Sequence, residues 1–248
     1  MARRVLWYAL AYTIVIIVHE AAHAATARAF GLEPTLYHFW VDFDGDQATA
    51  WQRAAIGLAG PLSSLAVGVA AWVACCGSAP GSLGAMPLLF LAACGVSNFF
   101  GNMMSAAFVG DFSNAANWLG LPMAVRYALS TAGAVVTASV LFVAGRALAR
   151  SNSGDSNRSS RIALETVVLP VIIGTAIIIV INQPTPIPGF AAARAGEAAF
   201  WVFGIAGIFT APPSAAVNSR QRLVWSDGAL AVLVLAVVRI MALGIPLG

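Results

Sequence analysis

The chain has 248 residues, of which 60% are hydrophobic and 9% charged, with a net charge of +3. Soluble domains carry about 25% charged residues, so this composition excludes a soluble core and indicates a polytopic membrane protein. Its cations are all arginines scattered along the chain, which argues against nucleic acid as a partner and against a strongly acidic substrate.

The first segment, Val5 to Phe30, is apolar apart from His19, Glu20, His23, Arg28 and a few hydroxyls. As a helix it rises about 39 Å, against a hydrocarbon core of roughly 30 Å. Met1-Ala2-Arg3-Arg4 before an apolar run resembles a signal peptide, but the run carries the strongest chemical motif of the chain and is read as a retained first helix. That motif is His19-Glu20-Ala21-Ala22-His23. Residues i and i+4 share a helix face, so His19 and His23 can hold one zinc ion, with Glu20 beside them as general base for the water to be activated. At this composition a chance H-E-x-x-H is expected in roughly 6 of 10,000 such chains, so the match is specific. An ionisable group near the bilayer centre costs about 2.5–3.5 kcal/mol, and three on adjacent turns call for a partner such as a metal. An upright helix puts the zinc roughly 9 Å inside the farther hydrocarbon boundary.

Residues 31–52 differ in character. The stretch Thr35 to Phe43 is rich in aromatic and β-branched residues, and Asp44-Gly45 is a turn signal, so a short β-hairpin at the membrane surface is expected. Asp42 to Asp46 faintly resembles a calcium loop, but the twelfth position is Arg53 where a bidentate Glu is required. His38 groups with Tyr37 and Trp40 as part of an interfacial aromatic belt rather than as a ligand.

Further apolar spans are expected near 53–76, 85–108, 123–149, 162–182 and 227–247. The stretch 196–211 is short for a crossing, and reads as a seventh span or a re-entrant piece. The fold class is therefore all-α, with six or seven transmembrane helices and a short surface β-hairpin after the first. Residues 1–149 form a membrane-embedded core, 150–161 a flexible Ser/Asn/Gly-rich loop, and 162–248 an additional transmembrane region. Alternating Pro184, Pro186 and Pro188 suggest an extended loop, and Pro212-Pro213 another break. Arginine placement favours a cytoplasmic N-terminus only if 196–211 crosses. Cys75, Cys76 and Cys94 lie in apolar segments and read as small buried hydrophobes.

A catalytic zinc takes three protein ligands and keeps one position for water. Asp111, just after the third span in Val109-Gly110-Asp111-Phe112, is the preferred third ligand, although Asp-Phe-Ser-Asn is also good N-cap sequence. Glu165, one turn into the fifth span, is the alternative. Asp227 reads as an N-cap of the last span, and Glu197 as a helical pair with Arg194. Asn98 and Asn102 share one face of the third helix, where they either bond neighbouring helices or contact a substrate backbone or oxyanion. Ala59-Gly60-Pro61 signals a kink or close approach in the second span, and Ser64-x-x-x-Gly68 supports tight packing.

Taken together, the first-span motif, a surface hairpin, Ala59-Gly60-Pro61 and an Asp ending the third span resemble the site-2 protease family of intramembrane zinc metalloproteases. The resemblance covers roughly residues 10–115. It implies His19, His23 and Asp111 as zinc ligands and Glu20 as catalytic base. It also implies regulated proteolysis, for instance of an anti-sigma factor. The chain departs from the family pattern in Ser64, where that pattern has Asn, and around Asp111, where the prolines are missing and Gly110 precedes the aspartate; it would be a divergent member. The expected activity is zinc-dependent hydrolysis of peptide bonds in membrane-spanning or membrane-tethered substrates, within the lipid bilayer of the cell membrane. The competing reading is a non-proteolytic zinc-binding membrane scaffold or substrate-binding protein. Three histidines are too few for a histidine-rich di-iron site.

Overall fold

The computed structural model describes residues 1–77, 85–150, 159–183, 190–211 and 225–247. It is an all-α polytopic membrane protein. Among the described residues, six helical segments are long and apolar enough to cross a membrane: Ala2–Ala29, Ala50–Cys76, Ala85–Met104, Met123–Arg150, Ser160–Ile181 and Phe190–Phe209. Their outward faces carry large apolar side chains such as Val73, Val135, Ile172 and Val180, more than half exposed, as lipid contact demands.

Helix α1 (Ala2–Ala29) ends because Gly31 adopts φ +81, a left-handed conformation open to glycine. The Leu32 amide then donates to the Ala27 carbonyl and the Gly31 amide to that of Arg28, which together satisfy the last turn. Helix α2 (Ala50–Cys76) starts at a capping box between Thr49 and Gln52. Helix α3 (Ala85–Met104) lies against α2 with almost no side chain between them. A methyl on Gly68 would sit 2.5 Å from the Val96 amide nitrogen, and one on Gly95 2.6 Å from the Ser64 carbonyl. The small-residue packing expected around Ser64 and Gly68 is what the structure uses.

After α3 a turn over 105–110 leads into the short α4 (Asp111–Trp118) and then α5 (Met123–Arg150). The next crossing combines α6 (Ser159–Ala163), a π-helical turn over Leu164–Val168 and α7 (Leu169–Ile181). Helices α8 (Phe190–Ala199) and α9 (Val202–Phe209) join into one apolar segment, so the short stretch near 196–211 qualifies as a span once residues from 190 onward are included. The apolar core gathers Tyr8, Val15, Phe90, Leu141, Val167 and Trp201. Tyr8 stands edge-on to both Phe90 and Trp201, at 5.9 Å each.

Three expectations need correction. The last helix, α10 (Trp225–Met241), does not run to 247; it stops before Gly244, which has φ +81, and Ile245–Pro246 forms a strand instead. That strand, β3, pairs antiparallel with β1 (Thr35–Leu36), whose other edge pairs with β2 (Val41–Asp42), in the order β2-β1-β3. The hairpin turn is not at Asp44-Gly45. It lies between Leu36 and Val41, closed by the Tyr37 amide donating to the Trp40 carbonyl at 2.9 Å and by the stacked Tyr37 and Trp40 rings. Asp44 instead caps a 3-10 turn over Gly45–Gln47. Asp227 is not an N-cap but sits in the first turn of α10, fully buried, 2.9 Å from the guanidinium of Arg3. A buried carboxylate needs a counter-charge, and this one ties the start of α1 to α10. The expected loop at 151–158 and the proline-rich stretches 184–189 and 212–213 lie outside the described residues.

Helix α9 packs on α5 backbone to backbone: a methyl on Gly145 would overlap the Gly204 carbonyl oxygen and come within 2.7 Å of its carbon. Gly145→Ala should therefore destabilise the protein by about 1–3 kcal/mol. Gly196→Ala, which meets nothing within 4 Å, should be neutral or stabilise by up to about 1 kcal/mol. Thermal unfolding of the two variants in detergent separates these outcomes.

Candidate metal centre

The centre is built from two facing helix surfaces. On α1, His19 and His23 lie one turn apart with rings edge-to-face, centroids 4.7 Å apart. Opposite them, Ile56, Gly60 and Ser64 of α2 repeat every four residues and so share a face. Each of the three makes a specific accommodation. The carbonyl of Ile56 accepts from His23 Nδ1 at 2.5 Å. Gly60 leaves room for the rings, because a methyl there would overlap His23 Nε2 and come within 2.7 Å of His19 Cδ2. Ser64 Oγ is 3.2 Å from the Gly60 carbonyl and 3.1 Å from His19 Nδ1, within hydrogen-bonding reach of both.

The Ile56 carbonyl can only accept, so His23 carries a proton on Nδ1. The Ser64 hydroxyl can serve His19 Nδ1 as donor or acceptor. With Nδ1 partnered in both rings, Nε2 is the nitrogen left to act as a metal ligand. Both Nε2 atoms face Asp111 Oδ2, at 2.9 Å from His19 and 3.6 Å from His23. Two ligand atoms on a tetrahedral zinc lie roughly 3.4 Å apart, given bonds of about 2.0–2.2 Å. The two Asp111 separations lie on either side of that value, and all three donor atoms fall within 4.8 Å of one another, so the cluster could hold a metal ion. Burial alone would raise the Asp111 carboxyl pKa, but the two imidazoles outweigh it and hold the group well below the usual carboxylate range.

Glu20 and the three donors line one cavity of about 600 Å³. Asn98 and Asn102 line it too, with the Asn102 amide donating to the Asn98 carbonyl at 3.0 Å. Glu165 does not approach the cluster; its carboxylate pairs with Arg161 at 2.7 Å. Among the described residues only His19, His23 and Asp111 converge as a group able to hold a metal ion. His38, expected beside the interfacial aromatics rather than as a ligand, does not join the metal cluster and is buried at 4% exposure in the cavity wall, against Phe39.

No family model, curated protein or solved structure matches the chain. What can be said of its chemistry therefore rests on this geometry.

Sequence reasoning missed the contribution of the second half of the chain. Phe190 and Arg194 of α8, together with Asn182, line the same cavity. Arg194 pairs with Glu197 at 2.8 Å as its spacing suggested, and Glu197 also accepts from the Tyr12 hydroxyl at 2.7 Å. The only linear signal was the i, i+3 charge pair, which is common on any helix. Ser64 was visible as part of a small-residue packing pattern with Gly68, not as a partner of His19.

Asp111→Ala should strip zinc from the purified protein, whereas Glu165→Ala should leave the metal content unchanged; elemental analysis at fixed protein concentration reads both. Ser64→Ala removes the hydrogen-bond partner of His19 Nδ1 and should weaken zinc binding by about 10- to 100-fold, measured by chelator competition.

Proposed function

We propose that this chain is an intramembrane zinc metalloprotease, a divergent member of the site-2 protease family, acting on membrane-spanning or membrane-tethered substrates in the cell membrane. The observation that carries the reading is the convergence of His19 Nε2, His23 Nε2 and an Asp111 carboxylate oxygen on the wall of a cavity that Glu20 also lines. Three protein donors leave a zinc coordination position open, whereas a structural zinc is closed by four. Among the described residues no fourth His, Cys, Asp or Glu joins the three.

His19, His23 and Asp111 would hold the ion, and zinc held there supplies Lewis acidity, which acidifies water and polarises a peptide carbonyl. Glu20 has a separate task. Its carboxylate takes the proton from the attacking water and returns it to the departing amine nitrogen. Asn98 and Asn102 line the same cavity and would bond an extended substrate backbone or the developing oxyanion. A substrate helix must unwind locally, because its carbonyls are otherwise held in internal hydrogen bonds.

Glu20→Gln preserves size and polarity but removes the basic carboxylate. It should retain near-normal zinc and folding while losing peptide cleavage by about 100-fold or more. His19→Ala should lose both. The assay reconstitutes purified protein with candidate transmembrane substrates in detergent or lipid and follows cleavage by mass spectrometry. Equal cleavage by the wild type and Glu20→Gln would overturn the hydrolase reading. A zinc-dependent scaffold would instead keep its binding function in Glu20→Gln.

A further inference from the structure

Asp111 has less local support than either histidine. It opens a helix of eight residues, and a helix that short is not stable on its own. The segment before it, residues 105–110, turns sharply and ends in Gly110 at φ +92. Nothing in its own backbone therefore holds the carboxylate to within the few tenths of an ångström that a metal bond requires. One buried side chain from a different helix grips the chain on both sides of it. Arg126, in the first turn of α5 and 9% exposed, uses three nitrogens of its guanidinium on three partners. Nε donates to the Ala106 carbonyl at 3.0 Å, upstream of Asp111. Downstream, Nη2 donates to Ser113 Oγ at 2.8 Å and Nη1 to Asn117 Oδ1 at 2.7 Å. Ser130, one turn further along α5, accepts from the Ala107 amide at 3.0 Å and fixes the same turn.

We propose that Arg126 is the positioning residue of the metal centre: its guanidinium binds the turn before Asp111 and the helix after it into one unit, and so sets where the Asp111 carboxylate meets His19 and His23. The role depends on shape as much as on charge. A guanidinium presents donors in a rigid planar fork that can serve three acceptors at once, whereas an ammonium is a point charge on a flexible stem. Arg126→Lys keeps the charge and should still fail. The inference rests on Asp111 being a metal ligand, and its test separates the two claims.

The experiment measures zinc affinity of the full-length protein in detergent by chelator competition, for the wild type, Arg126→Lys, Asp111→Ala and the double variant. Cobalt-substituted samples report ligand geometry through their visible absorption. We expect Arg126→Lys to weaken zinc by about 10- to 100-fold and to alter the cobalt spectrum. In the Asp111→Ala background the same change should have no further effect, because the group through which Arg126 acts is gone. If Arg126→Lys does not fold, Ser113→Ala takes its place in the cycle, with a several-fold loss expected. An equal loss in both backgrounds would show a general structural role and overturn the proposal. Wild-type affinity in Arg126→Lys, with zinc lost in Asp111→Ala, would overturn it while leaving the metal centre intact. Wild-type affinity in Asp111→Ala would remove Asp111 from the centre, and the proposal with it.

Discussion

A polar nitrogen buried in a membrane-spanning helix has no water to turn to, so each one must find its partner within the protein. His19 and His23 bring four ring nitrogens into such a helix, and the arrangement around them follows from that requirement. Two are satisfied from α2, by the Ile56 carbonyl and the Ser64 hydroxyl. The remaining two converge on one carboxylate from α4. The α2 partners occupy Nδ1 of both rings, so Nε2 is the nitrogen that faces Asp111.

Close approach of α1 and α2 makes this possible. Ile56, Gly60 and Ser64 repeat with the same four-residue spacing as His19 and His23, so two helical faces meet in register. Gly60 is where the rings need space, and any side chain there would occupy their volume. Pro61 follows directly inside the helix, where its missing amide breaks one hydrogen bond and loosens the local geometry. The α2–α3 contact continues the theme, with glycines letting backbone meet backbone. Helix α3 in turn carries Asn98 and Asn102 to the cavity.

The cavity is a product of the whole chain. Its floor comes from α1, α2 and the Asp111 turn, while the hairpin supplies His38 and Phe39 and α8 supplies Phe190 and Arg194. The Phe39 and Phe190 rings are in contact at 5.2 Å, joining the hairpin to the second half of the protein. The C-terminal strand extends the same small sheet, so segments more than 200 residues apart share one ladder. Asn182, Phe190 and Arg194 thus bring the second half of the chain into the wall around the candidate chemistry.

The amino-acid sequence by itself determined whatever depends on local spacing. Hydrophobic run length marked five of the six span candidates among the described residues, since crossing requires a minimum number of apolar residues. The i, i+4 histidines and the glutamate between them were visible because a helix places them together without any tertiary information. Asp111 was preferred over Glu165 as third ligand, but nothing linear says which carboxylate arrives at a distant helix. Only the tertiary structure separated them, by bringing Asp111 to the imidazoles and committing Glu165 to Arg161. The same limit explains the misplaced end of the last helix, the Arg3–Asp227 pair and the role of Arg126. Strand pairing, buried ion pairs and a guanidinium gripping three groups on another segment are all long-range contacts, and their energies are set by which surfaces meet rather than by neighbours in sequence.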